Sequence, residues 1–205
     1  DEDFIAKTKG NGITLLHSFE FSDIKATCHF YRYTTNEGNN YLLTIEDHDS
    51  IIAEFDYDTL HDKATCNTFS DTVTESYIFS AAIRFGLWFT LGIAAAKHLV
   101  AAVHSSTIIH HGQAVMFLGE SGTGKSTHTR LWRENIENTS LLNDDSPFIG
   151  IVDGEVMVYG SPWSGKTPCY KNESYPLRAI VRLSQAPHNK IRRTKGIAAI
   201  GALLP

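Results

Sequence analysis

The sequence predicts an α/β or α+β protein with a mixed sheet, preceded by an antiparallel β layer. Short alternating runs rich in aromatic and β-branched residues occupy roughly the first 60 positions. One long apolar helical segment follows, and strand-like runs then flank a glycine-rich loop and a second helix. We therefore divide the chain into a β-rich segment, 1–73, and a larger α/β domain, 74–205.

The N-terminal segment is predicted to form an antiparallel meander. We expect strands at 24–33, 41–45 and 51–55, with a turn at 36–40. The acidic loop at 46–49 could bind a cation, although a solvated loop is the favoured interpretation.

The larger domain is predicted to begin with a buried helix. This helix should run from Glu75 to about His98, with Ser70 or Asp71 as its cap. Strands and one further helix then alternate. The expected strands are 100–104, 107–110, 114–118, 140–142, a hairpin of 148–152 and 155–159, and 177–183, with a helix at 125–134.

Composition excludes several classes of protein. Of the 205 residues, 42% are hydrophobic and 20% are charged, which is typical of a globular protein able to bury a core. The net charge of −5 argues against nucleic-acid binding, which usually needs a basic surface. The three widely spaced cysteines, Cys28, Cys66 and Cys169, indicate reduced thiols in a cytoplasmic protein.

No membrane partner is expected. The N-terminus is polar and acidic, unlike a signal peptide. The longest apolar run, 85–96, is bounded by Arg84 and Lys97 and is too short to span a bilayer. The chain ends with Pro205 after an apolar stretch, so we expect the second domain to be incomplete at its C-terminus.

One motif predicts the chemistry. Residues 119–126 read GESGTGKS and match the Walker A, or P-loop, pattern G-x-x-x-x-G-K-[ST] in full. Such a loop surrounds phosphate oxygens with backbone N–H groups, and the helix that follows directs its positive end at the anion. We expect the lysine to bind the β- and γ-phosphates and the serine to bind Mg²⁺. The predicted ATP-binding residues are Gly119, Ser121, Gly122, Thr123, Gly124, Lys125, Ser126 and Thr127.

A pair of carboxylates, Asp144 and Asp145, follows a short apolar strand that could run beside the P-loop strand. One carboxylate could hold Mg²⁺, as in a Walker B strand, and the other could accept a proton from an attacking hydroxyl. The alternative is a polar turn before Pro147. The complete P-loop upstream favours the functional interpretation.

GESGTGKST followed by NDD resembles the catalytic domain of HPr kinase/phosphorylase. It also resembles the ATP-dependent phosphoenolpyruvate carboxykinases, where an SGTGK loop likewise precedes paired aspartates. The resemblance covers about 100–183 and implies a P-loop fold that binds ATP and Mg²⁺. It further implies that Asp144 is the general base, that Asp145 and Ser126 are the metal ligands, and that Lys125 and His104 take part in catalysis.

The chain departs from HPr kinases after the aspartates, where VYGSPWSGK stands at 158–166 in place of an E-x-R-G stretch. It therefore resembles a divergent HPr-kinase-like protein, with another substrate. We predict an ATP-dependent kinase that phosphorylates a protein serine or a small hydroxyl metabolite. A non-catalytic ATP-sensing module, which needs one metal-binding carboxylate, stays open. A carboxykinase-related enzyme acting on a small organic acid also stays open, and it would need a second metal site. Homo-oligomerisation likewise stays open.

Other groups have weaker interpretations. The loop 160–171 could cover the nucleotide or the acceptor, with Lys166 on phosphate, or could be an ordinary surface loop. The basic run 190–195, and Arg178 with Arg182, are candidate phosphate contacts, and a solvated strand edge is the favoured interpretation of the run. A zinc site built from His104, His110 and His111 is not expected, because adjacent strand residues face opposite sides.

Overall fold

The computed structural model describes residues 12–22, 24–36, 38–48, 50–69, 77–165 and 167–203. These residues form twelve strands and three helices, and the chain divides into two compact units, Asp1–Lys97 and His98–Pro205. The boundary falls at Lys97 rather than between 73 and 74, because the long helix packs on the N-terminal sheet.

The first unit contains a five-stranded antiparallel sheet whose strands follow one another in chain order. Its central strands correspond to the three expected from the sequence. The edge strands were not expected, because their side chains are mostly exposed and show little hydrophobic alternation. The strands are β1 (Thr14–Phe21), β2 (Ala26–Thr35), β3 (Gly38–Asp47), β4 (Ser50–Asp58) and β5 (Lys63–Thr68).

Helix α1 (Tyr77–Lys97) packs on β3 and β4 of this sheet. Gly86 lies directly against Phe55, whose ring occupies the place that a Cβ would take. Within the described ranges, α1 is the one helix whose length and apolar composition would suffice to cross a membrane. The helix was predicted to be buried, but it packs on the sheet along one side, so four of its residues, Ala81, Ala82, Gly86 and Thr90, are buried while Leu87 and Leu91 are exposed. The absence of a membrane partner stays a prediction. The expected cap and first residues of this helix lie outside the described residues.

The second unit contains a seven-stranded mixed sheet, ordered β6-β10-β11-β12-β8-β7-β9. Strands predominate in both units, and the assignment to the P-loop fold stays a prediction. The sheet comprises β6 (Ala101–Ala102), β7 (Ser105–His110), β8 (Gln113–Leu118), β9 (Thr139–Asp145), β10 (Phe148–Val152), β11 (Glu155–Tyr159) and β12 (Ser174–Arg182), and the helices are α2 (Lys125–Asn135) and α3 (Ile197–Leu203).

The direction of the strands decides where the motifs meet. Strand β7 is antiparallel to both β8 and β9, so β8 and β9 run in the same direction. Their C-terminal ends, which carry the P-loop and the paired aspartates, therefore lie at one edge of the sheet. The sequence suggested that the two strands could be neighbours, whereas β7 lies between them.

The buried residues of the sheet form two clusters. Ile108, Val115 and Phe117 pack against Trp132 of α2, so this helix covers one face. The residues that alternate with them, including Ile109, Met116 and Leu142, form the second cluster. This packing fixes the first turn of α2 over the C-terminal end of β8.

Candidate functional site

The P-loop connects β8 to α2. Gly124 precedes the helix with φ of 99°, in the left-handed region that glycine adopts without a steric cost. At Gly119, which has φ of 152°, a Cβ would lie 2.6 Å from the Thr123 hydroxyl oxygen and 3.1 Å from the Leu183 carbonyl oxygen. A larger residue at Gly119 would therefore push the loop away from the segment that follows β12.

Lys125 folds back over the loop. Its Nζ donates to the Gly119 carbonyl at 2.7 Å and to the Glu120 carbonyl at 3.2 Å. The Thr123 hydroxyl also donates to the Glu120 carbonyl, at 2.8 Å. The ammonium group is thus already held at the mouth of the loop, next to the first turn of a helix whose dipole favours an anion.

The remaining predicted ATP-binding residues line the same loop and helix start. Gly122 accepts a hydrogen bond from the side-chain amide of Gln185, at 3.2 Å. Ser121 and Thr127 are exposed, so their hydroxyl groups can reach a bound ligand. All the residues predicted to bind ATP therefore belong to one continuous surface around the loop.

Ser126 and Asp144 are brought together by the sheet. The Ser126 hydroxyl donates to Oδ1 of Asp144 at 2.9 Å. Asp144 is 4% exposed, and its Oδ2 is buried without a hydrogen-bond partner among the described residues. Burying a carboxylate oxygen in this way costs free energy unless a cation or donor completes the site.

This pair fits Mg²⁺. The ion is usually held by one or two carboxylates, nucleotide phosphates and water rather than by a complete cage of protein ligands. In the part of the chain that the structure describes, no group of three or more His, Cys, Asp or Glu residues could hold a metal. A hydroxyl and one carboxylate beside a phosphate-binding loop do not require such a group.

Asp145 points to the other face of β9 and is more exposed. Its Oδ2 accepts a hydrogen bond from the Ser146 hydroxyl at 2.9 Å, and its Oδ1 lies 3.6 Å from Nδ1 of His104. The side chains of Asp145 and His104 are 38% and 60% exposed. The resemblance made Asp145 the metal ligand and Asp144 the base, whereas this geometry favours exchanging the two roles.

Several polar residues at the site were missed by sequence reasoning. Ser106, which pairs with Asp144 across β7 and β9, bonds Thr129 of α2 at 2.8 Å between hydroxyl oxygens. Thr129 also donates to the Ser126 carbonyl. Asn143 is fully buried beside the aspartates. The sequence offered one signal for Ser106 and Asn143: each is a polar residue in a strand whose apolar residues are expected to be buried.

The weaker candidates are dispersed. His104 precedes β7 and His110 ends it, where His110 bonds the Thr139 hydroxyl, so these histidines do not share a site. Arg182 donates to the Ala202 carbonyl at 3.4 Å. The acidic loop places Glu46 3.6 Å from His29, while Asp49 and Lys166 lie outside the described residues.

Comparison with known protein families and with curated proteins found no match. The resemblance to HPr kinase/phosphorylase and to the carboxykinases therefore stays a prediction, carried by the P-loop and the paired aspartates.

Proposed function

We propose that the second unit is an ATP-dependent, Mg²⁺-requiring phosphotransferase of the HPr-kinase-like type. It moves the γ-phosphate of ATP to a hydroxyl group of a protein serine or a small metabolite. The observation that carries the proposal is the Ser126–Asp144 pair beside a complete P-loop, with a buried carboxylate oxygen that lacks a partner among the described residues.

The P-loop residues bind and orient the nucleotide. Backbone N–H groups of the loop donate to phosphate oxygens, and Lys125 turns its ammonium group from the loop carbonyls to the phosphates. The Ser126 hydroxyl and the Asp144 carboxylate hold Mg²⁺, which when bound offsets negative charge on the phosphate oxygens. Asp144 suits this role because it is buried and already bonded to Ser126.

Asp145 accepts the proton of the acceptor hydroxyl. As the acceptor oxygen forms a bond to the γ-phosphorus, the bond from that phosphorus to the bridging oxygen breaks and ADP leaves with the electron pair. Asp145 is exposed enough to reach an acceptor, whereas Asp144 is not. His104 lies within ion-pairing distance of Asp145 and orients its carboxylate.

Nucleotide binding is tested by calorimetry on Lys125→Ala. We expect the affinity for MgATP to fall by tenfold or more, because the ammonium group no longer offsets phosphate charge. Arg130→Ala is the matched control, since it removes one exposed positive charge from the same helix, where Arg130 pairs with Glu134. Equal MgATP affinity in Lys125→Ala and wild type would contradict the proposal.

The two carboxylates are separated by comparing binding with turnover. Asp144→Asn should weaken MgATP binding and leave binding of ATP in EDTA unchanged. Asp145→Asn should keep MgATP affinity within about threefold but lower ADP release by roughly 10²–10⁴, the usual loss of a general base. The reverse pattern would restore the roles that the resemblance implies. Tight MgATP binding without turnover with any acceptor would favour the ATP-sensing module.

A further inference from the structure

The segment 161–165 lies against the C-terminal end of β9. Asp145 and Ser164 form an antiparallel bridge, and the Gly165 N–H donates to the Asp144 carbonyl. A Cβ at Gly165 would lie 2.6 Å from that carbonyl oxygen, so glycine permits the close approach. The segment therefore follows the backbone of both aspartates.

The position of β9 in the sheet gives this contact a direction. The P-loop follows β8, β7 lies next to β8, and β9 is the edge strand beyond β7. A nucleotide held by the P-loop approaches the aspartates from the β8 side. Gly160 bonds Glu173 just before β12, whereas Ser164 and Gly165 lie along the free edge of β9, away from β7. In-line transfer needs the acceptor on the side of the γ-phosphate away from ADP, and the free edge of β9 beside Asp145 is the candidate for that side.

Asn143 holds the segment in this position. Its Nδ2 donates to the Trp163 carbonyl at 2.8 Å and to the Ser161 hydroxyl at 3.3 Å, and lies 3.5 Å from the Cys169 carbonyl. Its Oδ1 accepts the Ser146 N–H at 2.9 Å. The side chain is fully buried, so water cannot replace these bonds.

We propose that residues 161–165 form the acceptor side of the phosphotransfer site and that Asn143 is the positioning residue that holds them there. This inference rests on the proposed function and assigns that site a wall for the hydroxyl-bearing acceptor. Asn143 acts through the segment and through the adjacent aspartates, without itself touching the reacting atoms. A displacement of about 1 Å in such a wall can lower the rate by about 10².

The test uses MgADP with and without fluoroaluminate, which mimics the transferring phosphoryl group with a water on the acceptor side. In the wild-type protein, fluoroaluminate should tighten MgADP binding, since a transition-state mimic binds better than a ground-state ligand. Asn143→Ala should keep the affinity for MgADP alone within about threefold of wild type. The factor by which fluoroaluminate increases that affinity should be at least tenfold smaller than in wild type. A merely structural loss would weaken both complexes alike.

A second variant guards against misfolding of Asn143→Ala. Gly165→Ala displaces the segment from its other contact and should give the same split. Gly201→Ala is its control, because a Cβ there meets nothing within 4 Å. Hydrogen exchange at the Trp163 and Gly165 amides should be faster in Asn143→Ala and Gly165→Ala but not in Gly201→Ala.

Two results would overturn the inference. One is full fluoroaluminate tightening in both Asn143→Ala and Gly165→Ala, and the other is no tightening in the wild-type protein. If MgADP binding still depends on Lys125 in either case, the inference fails while the P-loop assignment survives. Loss of that dependence would instead refute the proposed function.

Discussion

Asp144→Asn should make the nucleotide-free protein more stable. The wild-type carboxylate is 4% exposed, and its Oδ2 has no hydrogen-bond partner within the described ranges. A buried polar group left in this state costs about 1–3 kcal/mol, and a charged group costs more. Asparagine removes the charge and keeps an oxygen for the Ser126 hydroxyl. We therefore expect a gain of about 1–2 kcal/mol, or roughly 4–10 °C in Tm for a domain of about 100 residues.

The assay is thermal unfolding in EDTA, repeated with excess Mg²⁺ and ADP. Hydrogen exchange at β8 and β9 amides reports on the second unit separately from the first. With ligand at a hundredfold excess over its Kd, the wild-type protein should gain about 2.7 kcal/mol, and Asp144→Asn should gain much less. Stability would then be exchanged for function at one side chain.

Asp145→Asn is the matched control. It makes the same chemical change at the neighbouring position, where the carboxylate is partly exposed and bonded to Ser146. Its stability should stay within about 0.5 kcal/mol of wild type, as for most surface substitutions. A nucleotide-free Asp144→Asn protein that is less stable than wild type would refute the reasoning about the unpartnered oxygen.

Two further predictions concern packing. Gly86→Ala should lower the free energy of unfolding by about 1–3 kcal/mol, because its methyl group would overlap the Phe55 ring. Gly92→Ala, where a Cβ meets nothing within 4 Å, should raise the free energy of unfolding by about 0.5–1 kcal/mol, because alanine has the higher helix propensity. Equal effects of the two variants in denaturant unfolding would contradict the packing of Gly86 on Phe55. A double-mutant cycle of Ser106→Ala and Thr129→Val should show a coupling of about 0.5–1.5 kcal/mol in the free energy of unfolding. A coupling near zero would show that the hydroxyl pair contributes nothing to stability.

Local sequence signals predicted the elements around the phosphate loop. The P-loop, its strand and its helix are specified by contiguous residues, and α2 begins at Lys125, where the sequence placed a helix start. The β10–β11 hairpin is confirmed, because Asp153 and Gly154 adopt the positive φ values that its tight turn requires. Each of these features depends on residues a few positions apart.

Features that depend on distant residues could not be predicted in this way. The sequence analysis placed the paired aspartates after a strand at 140–142, whereas β9 includes both of them because β7 pairs with both residues. The insertion of β7 between β8 and β9 has no local signature. Neither does the partnership of Asn143 with residues 18 to 26 positions later.

The insertion of β7 also explains why the two aspartates can take different roles. Successive residues of a strand face opposite sides of the sheet, and pairing with β7 keeps β9 extended through both carboxylates. Asp144 consequently faces Ser126 at the start of α2 and is buried, while Asp145 faces His104 and remains accessible. If the strand ended at Asn143, both side chains could turn toward solvent and neither would be fixed. The paired strand thus supplies the separation that the proposed metal ligand and the proposed base require.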